Sequence, residues 1–546
     1  MPLSQTLEDN GENIVDRLYY NGKIYSIDNE NRKYTALGIE KGKIAFLGDD
    51  KEALAIDADE KIDLKGKTVL PGFVDSHLHM LNYAFVKQSY IMQSAKSIEE
   101  IIRAGREIAK TMSGENPEKW IYGRGWNEVN FTDEKRDLTR FDLDRISTDR
   151  PILFIRVCGH KAAVNSKALK IIMALEQTED YIEQIDEENG ILTEASVKLC
   201  YNAMKEPSVE QIKDMILSAQ RDLNAAGITG VETDNFLSLP GRNSYRIMTA
   251  YKELENENKL TLRVREQASF TAFEHMRKFI DDGNTTGNGG EYYKIGPVKL
   301  YEDGSLGART ALMNSCYTGT DTYGVAVHDR DDIYCMVDYA YKSNMQVLVH
   351  AIGDKASDMV MDAYERSVQK YGKRDARLAI NHLQIVSSNL FDRMKKYDVL
   401  AYIQPLFVAS DKNIVAGLVG NEAEERSYMW KTMLKKGLIC CGGSDSPVED
   451  FDILSNIQIA VTRDALNEKT EGWYPEQKLT VEEAVRLFTI NNAYGAFEEN
   501  RRGSIEIEKD ADLTVLSDDI FEADPHEISR IKIAATIVAG RTVYEA

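Results

Sequence analysis

Two histidines one residue apart, His77 and His79, close the apolar run VLPGFVDSHLHM at residues 69–80. In an extended strand side chains alternate between faces, so residues i and i+2 share one and the two imidazoles converge. Four further stretches put a chemically capable residue near the end of an apolar run: Lys299 and Asp303 in IGPVKLYEDG, His350 in MQVLVHAIGD, His382 in LAINHLQIV, and Asp445 in LICCGGSDSP. The chain has only eight histidines, and four of them fall in this set. Imidazole nitrogen and carboxylate oxygen are the donors that a borderline divalent metal such as zinc accepts, and a catalytic site keeps one position open for water. Singly, each residue has a plainer reading: His350 or His382 as a hydrogen-bonded core histidine, Lys299 as the ion-pair partner of Asp303 or Glu302, Asp445 as a helix cap before Pro447. Jointly they point to a metal centre, because independent accidents rarely fill successive strand ends.

Such a set needs a scaffold that brings distant segments to one rim. Between two β-rich ends, apolar β-type runs alternate with helical patterns, the signature of parallel strands with crossover helices. The runs TVLPGFVDS, GITGVET, LTLRVREQ, IGPVKLY, MQVLVHA, LAINHLQIV, LAYIQPL and LICCGGS make eight strands, hence an α/β fold with a closed (β/α)8 TIM barrel. A barrel carries its active site at the C-terminal strand ends, which is where the set above falls. The gap of about 150 residues between the first two runs is too long for a structureless loop, so it predicts a subdomain inserted after the first strand, at roughly residues 85–222, with PILFIRV as a strand of its own. Both termini read as short alternating strands broken by Asn-Gly and Lys-Gly turns. They predict a small composite β-sandwich domain from residues 1–70 and 500–546, with the catalytic barrel spanning 71–499.

Composition narrows the partners. A net charge of −22, with 67 Lys and Arg against 89 Asp and Glu, repels phosphate backbones and anionic lipid at long range, so neither nucleic acid nor a membrane surface is expected. The six cysteines lack Cys-x-x-Cys spacing, the first residues lack the apolar core of a signal peptide, and no apolar run approaches the roughly 20 residues of a membrane span. A soluble cytoplasmic protein with reduced thiols is expected. Absence of a Gly-x-Ser-x-Gly elbow disfavours a serine hydrolase, and absence of Gly-x-Gly-x-x-Gly or a Walker loop disfavours a nucleotide enzyme.

The order His-x-His, Lys, His, His, Asp resembles that of the amidohydrolase superfamily. The blocks VLPGFVDSHLHM, VKLYEDGSLGARTALM, VHAIGD, NHLQIV, GGSDSPVE and GSIEIEKDADLTVL resemble its third family, the YtcJ-like metal-dependent hydrolases, which includes N-substituted formamide deformylases. The resemblance runs from about Leu18 to the C-terminus and is specific at family level, not at substrate level. It implies that His77, His79 and Asp445 hold one divalent metal, most simply zinc, that His350 and His382 hold a second, and that Lys299 bridges them as a carbamate; the alternative is a single ion with Lys299 in an ion pair or hydrogen bond. It also implies hydrolysis of a C–N bond, amide or N-substituted formamide, by water that the metal makes nucleophilic, with Asp445 as proton carrier. His160, Asp303 and Arg309 are candidates for orienting a small-molecule substrate, with Trp126 a further one and a structural role the alternative for Arg309 and Trp126, and a homodimer is the candidate assembly. The block VCGHKAAVNSKAL departs from the family pattern, since Cys158 stands where an Asp is usual. Within the same superfamily, the competing activities are deamination and ring opening of cyclic amides, and a non-catalytic binding protein is a third reading.

Overall fold

A computed structural model describes residues 14–87, 89–92, 94–112, 114 and 116–546. The opening residues 1–13 of the expected terminal domain lie outside that range. The chain divides into two compact units, one of residues 1–80, 217–235 and 251–546, the other of 81–216 and 236–250.

The first unit contains the expected barrel. Eight parallel strands hydrogen-bond in chain order: β1 (Phe73–Leu78), β2 (Ile228–Thr233), β3 (Arg263–Ser269), β4 (Tyr293–Tyr301), β5 (Val347–Ala351), β6 (Ala379–His382), β7 (Leu400–Ile403) and β8 (Cys440–Gly442). Helices such as Arg330–Lys342 and Asp354–Tyr371 lie between strands. With side chains buried on both faces, β5 and β7 read as continuous apolar runs, as parallel strands do.

The interior is layered with polar groups. At one level Arg265 donates to Glu232 at 3.2 Å and to Gln346 at 2.7 Å, while the Tyr402 hydroxyl donates to Glu232 at 3.1 Å. A buried charge needs such partners. On β3 the next residues of the same face are Gln267 and Ser269, which reach the mouth.

The ladder does not run between β1 and β8; this seam is stitched by other bonds. Asp75 Oδ1 accepts the amides of His77 and Ser444, both at 3.0 Å, and the amide of Asp445 donates to the His77 carbonyl at 2.8 Å. A side chain at Gly443 would put its Cβ 2.7 Å from the His77 nitrogen, so the approach requires glycine.

The run TVLPGFVDS, expected as one strand, serves two sheets. Thr68–Pro71 pairs antiparallel with Leu513–Leu516 in a six-stranded sheet built from both chain ends, and β1 begins only after Gly72. Gly72 passes so close to β2 that a Cβ would sit 2.3 Å from Thr229 Oγ1. A four-stranded sheet, Lys43–Gly48, Ala36–Glu40, Ile14–Tyr20 and Asp57–Asp63, shares its core with that six-stranded sheet through Tyr19, Leu37, Ile39, Val69, Leu513 and Ile537. This is a sandwich.

The second unit contains a six-stranded sheet, in which PILFIRV is the strand Ile152–Arg156, paired parallel with Ile121–Trp126 and antiparallel with Lys161–Val164. Its other strands are two to six residues long, too short and too polar to stand out as period-2 patterns. All six cysteines are free. No helix among the described residues is long and apolar enough to cross a membrane.

Candidate metal centre

The strand ends of the first unit bring six of the singled-out residues together. β1 supplies His77 and places His79 just beyond its end, β4 supplies Lys299, β5 His350, β6 His382, and the turn after β8 Asp445. Ring centroids run in a chain, 5.2 Å from His79 to His77, 5.6 Å from His77 to His382, and 4.4 Å from His382 to His350. Asp445 Oδ1 lies 3.2 Å from His77 Nε2 and 3.1 Å from His79 Nε2. His382 and Asp445 both take left-handed φ, 79° and 62°, which costs about 1 kcal/mol or more for a side-chain-bearing residue and persists only where surrounding bonds fix the turn.

Proton positions decide what these groups can hold. The Gln267 amide nitrogen donates to the Ser76 carbonyl at 2.8 Å, so the atom facing His77 Nδ1 at 2.7 Å is the acceptor Oε1, and Nδ1 carries the proton. Burial, followed by the nearby Lys299 charge, pushes His77 down to about 4, so the ring is neutral at neutral pH. Its Nε2 is therefore a lone pair aimed at a carboxylate oxygen. His79 Nδ1 faces the main-chain carbonyl of Asp234 at 3.2 Å, which leaves its Nε2 toward Asp445 as well. Burial opposes charge on His79, but Asp445 and Asp234 outweigh it and raise its pKa; a proton can serve that contact. None can serve the one at His77. Burial alone would raise Asp445, yet its contacts with His77 and His79 hold it well below the carboxylate range, so it is ionised. One donor atom from each of His77, His79 and Asp445 lies within 4.8 Å of the others. Two imidazole nitrogens on one carboxylate oxygen fit a divalent cation.

Behind this triad, His382 Nδ1 faces Gln404 Oε1 at 2.9 Å, and Gln404 in turn donates to Asn381 Oδ1 at 2.9 Å. His382 Nε2 accepts from the Asn381 amide at 3.0 Å, and burial with the neighbouring His350 keeps the ring neutral. His350 Nε2 lies 3.0 Å from the Gly304 carbonyl, so its Nδ1 carries the lone pair. Lys299 is fully buried, and among the described residues its Nζ has no hydrogen-bond partner. Burial lowers it to about 8 against the opposing charges of Asp234 and Asp445.

The residues singled out for substrate fare differently. Asp303 is buried, and its carboxylate accepts the amides of Ile352 at 3.0 Å, Gly353 at 2.8 Å and Leu312 at 2.9 Å, while Oδ1 lies 3.4 Å from His350 Nε2. With three main-chain amides on its oxygens, it staples the loop after β4 to the end of β5 and backs His350. Arg309 is exposed in a turn with φ 57°. Trp126 takes the structural alternative: it is wholly buried in the core of the second unit with Ile102, Phe131, Leu138 and Phe154, its indole nitrogen donating to the Phe154 carbonyl at 3.2 Å. His160, in the same unit, is exposed, with Nδ1 3.1 Å from Glu194, and Cys158 beside it is exposed too.

Sequence reasoning missed Gln267, Gln404, Asn381 and Asp234. Asp234 is buried, and its carboxylate receives the hydroxyls of Ser269 and Tyr301. The available signal was a candidate barrel strand rich in polar residues, RVREQAS at Arg263–Ser269, where a wholly buried strand is ordinarily apolar.

Comparison with known proteins gives a consistent picture. The amidohydrolase family model matches residues 60–544. The chain is 33% identical over 543 residues to YtcJ of Bacillus subtilis, covering 97% of this chain and 99% of that one. It is 25% identical over 554 residues to the N-substituted formamide deformylase of Arthrobacter pascens, covering 97% and 98%. The crystal structure of a metal-dependent hydrolase from Pyrococcus horikoshii superposes with a TM-score of 0.80 at 28% identity, over 93% of this chain and 99% of that one.

Proposed function

The chain belongs to the amidohydrolase family and is a metal-dependent hydrolase, and from that premise we propose that it cleaves a carbon–nitrogen bond, an amide or N-substituted formamide, in a small molecule. The observation that carries the reading is the convergence of His77 Nε2 and His79 Nε2 on Asp445 Oδ1 at the barrel mouth. His77, His79 and Asp445 would hold one divalent metal and His350 and His382 a second, with Lys299 bridging the two as a carbamate. Zinc suits this donor set.

When bound, the metal supplies Lewis acidity, which lowers the pKa of a water from about 15.7 to about 7 and polarises the substrate carbonyl. That shift corresponds to roughly 12 kcal/mol of deprotonation free energy at about 1.36 kcal/mol per unit. The protein's own groups move the protons. Asp445, ionised and at the mouth, takes the water's proton as general base and delivers it to the departing nitrogen. Delivery is needed because an amide anion is a very poor leaving group. Asp303 and Gly304 hold the His350 ring, and the Asp234 carbonyl holds that of His79.

The formamide class is supported by the deformylase relative. The test is metal analysis of purified protein followed by a hydrolysis screen against N-substituted formamides, cyclic amides and amino-substituted heterocycles. Release of formate or carboxylate together with an amine is expected. Turnover confined to the heterocycles would replace the reading with a deaminase, turnover confined to cyclic amides with a ring-opening hydrolase, and absence of both metal and turnover with a binding protein.

A further inference from the structure

We infer that Gln267 and Gln404 are positioning residues that set the metal affinity of the centre by locking His77 and His382 in the tautomer whose Nε2 is unprotonated. The inference rests on the metal-dependent reading above and concerns residues that the reading does not use. Both glutamines are buried, one on β3 and the other just beyond β7, each behind a different histidine.

The same device occurs twice. Gln267 spends its nitrogen on the carbonyl of Ser76, the residue before His77, and presents its oxygen to His77 Nδ1 at 2.7 Å. Gln404 spends its nitrogen on Asn381 Oδ1, the residue before His382, and presents its oxygen to His382 Nδ1 at 2.9 Å. At Gln267 the Ser76 carbonyl, which can only accept, fixes which end of the amide meets the ring; at Gln404 the sense follows from Asn381, whose amide nitrogen faces His382 Nε2 at 3.0 Å and leaves its oxygen to accept from Gln404. A neutral imidazole carries one proton, and a ring protonated at Nε2 would turn an Nδ1 lone pair against an amide oxygen. Gln267 therefore excludes the tautomer of His77 that cannot ligate through Nε2, and Gln404 together with Asn381 does the same for His382.

The amide also matters by what it lacks. A carboxylate in either place would add a negative charge to a pocket that already buries Asp445 and Asp234 and would make the imidazole more basic. An amide gives the same orientation with no net charge, so Asp445 dominates the charge facing the ion. Histidine ligands held from behind typically owe 10–100-fold of metal affinity to that outer contact.

The test is zinc affinity, measured by chelator competition on purified full-length Gln267→Met and Gln404→Met variants, whose side chains keep the volume and lose the acceptor. Each should bind zinc about 10–100-fold more weakly than wild type, and Gln267→Glu, which puts an acceptor back behind His77 Nδ1, should bind it more tightly than Gln267→Met. Folded methionine variants that hold zinc as tightly as wild type would overturn the inference and leave the hydrolase reading standing; wild-type protein that binds no zinc would overturn both. Nitrogen-15 spectra of histidine-labelled wild-type protein give a measurement independent of whether the variants fold. His77 and His382 protonated at Nδ1 are expected, and protonation at Nε2 would sink the inference.

Discussion

His77 Nε2 lies 3.2 Å from Asp445 Oδ1, a lone pair against a carboxylate oxygen, although His77 enters on the first barrel strand and Asp445 follows the last. Two acceptors at that distance repel unless a cation stands between them. Stripping divalent metal with a chelator is therefore expected to abolish turnover and lower the melting temperature, and added zinc should reverse both. A ligand present at about 100 times its dissociation constant adds roughly 2.7 kcal/mol of stability. Full activity in metal-free protein, checked by elemental analysis, would remove the metal from the mechanism.

Asp445→Asn keeps the shape of the side chain and discards its charge. A fall in kcat of about 10²- to 10⁴-fold is expected, the usual contribution of a general acid–base. Metal analysis of the same preparation separates loss of the proton carrier from loss of the ion. Unchanged turnover would assign proton transfer elsewhere.

Lys299 contributes a buried nitrogen with no hydrogen-bond partner among the described residues. If it bridges as a carbamate, Lys299→Ala should lose bound metal and recover activity with millimolar short carboxylates such as acetate. Retention of the full metal complement would instead assign Lys299 as an ammonium facing Asp234 in a one-ion site.

Asp303→Ala would strand three amides, those of Ile352, Gly353 and Leu312, that its carboxylate now satisfies. A loss of stability of about 3 kcal/mol or more is expected, since each buried unsatisfied donor costs about 1–3 kcal/mol. Urea titration reads the effect. A raised KM with an unshifted urea midpoint would return Asp303 to the substrate.

Acid stability should depend on Arg263, whose guanidinium reaches Asp512 at the base of the barrel with Nη2 at 3.1 Å from Oδ1. Burial would raise Asp512, but the Arg263 charge and hydrogen bonds hold it below the ordinary carboxylate value. A carboxylate depressed in the folded state gives stability that is complete above its unfolded pKa of about 3.9 and is lost as pH falls through the lower folded value. Arg263→Gln should therefore move the acid-unfolding midpoint to higher pH, with Arg502 and the Ala539 amide left as the remaining partners of Asp512. An unmoved midpoint would show that the pair contributes nothing to acid resistance.

Much of the scaffold was legible because strand periodicity is local. Eight apolar runs gave eight strands, and the i, i+2 spacing of His77 and His79 already turned both rings to one face. The run through Pro71 and Gly72 showed the limit, since one apolar stretch divides between a terminal sheet and the barrel where the chain passes against Thr229. Trp126 and Asp303 showed another: nothing local in the sequence reveals that one is enclosed by core side chains and that the other accepts three main-chain amides.

The sequence alone determined which donors this protein owns and that they fall at strand ends, because both follow from composition and from a two-residue period. Only the tertiary structure decided that Gln267 stands behind His77, Gln404 behind His382, and Asp234 behind His79. Those partners lie 190, 22 and 155 residues apart in the chain. Their meeting depends on the register between neighbouring strands and on closure of the seam at Asp75, and no local pattern encodes either.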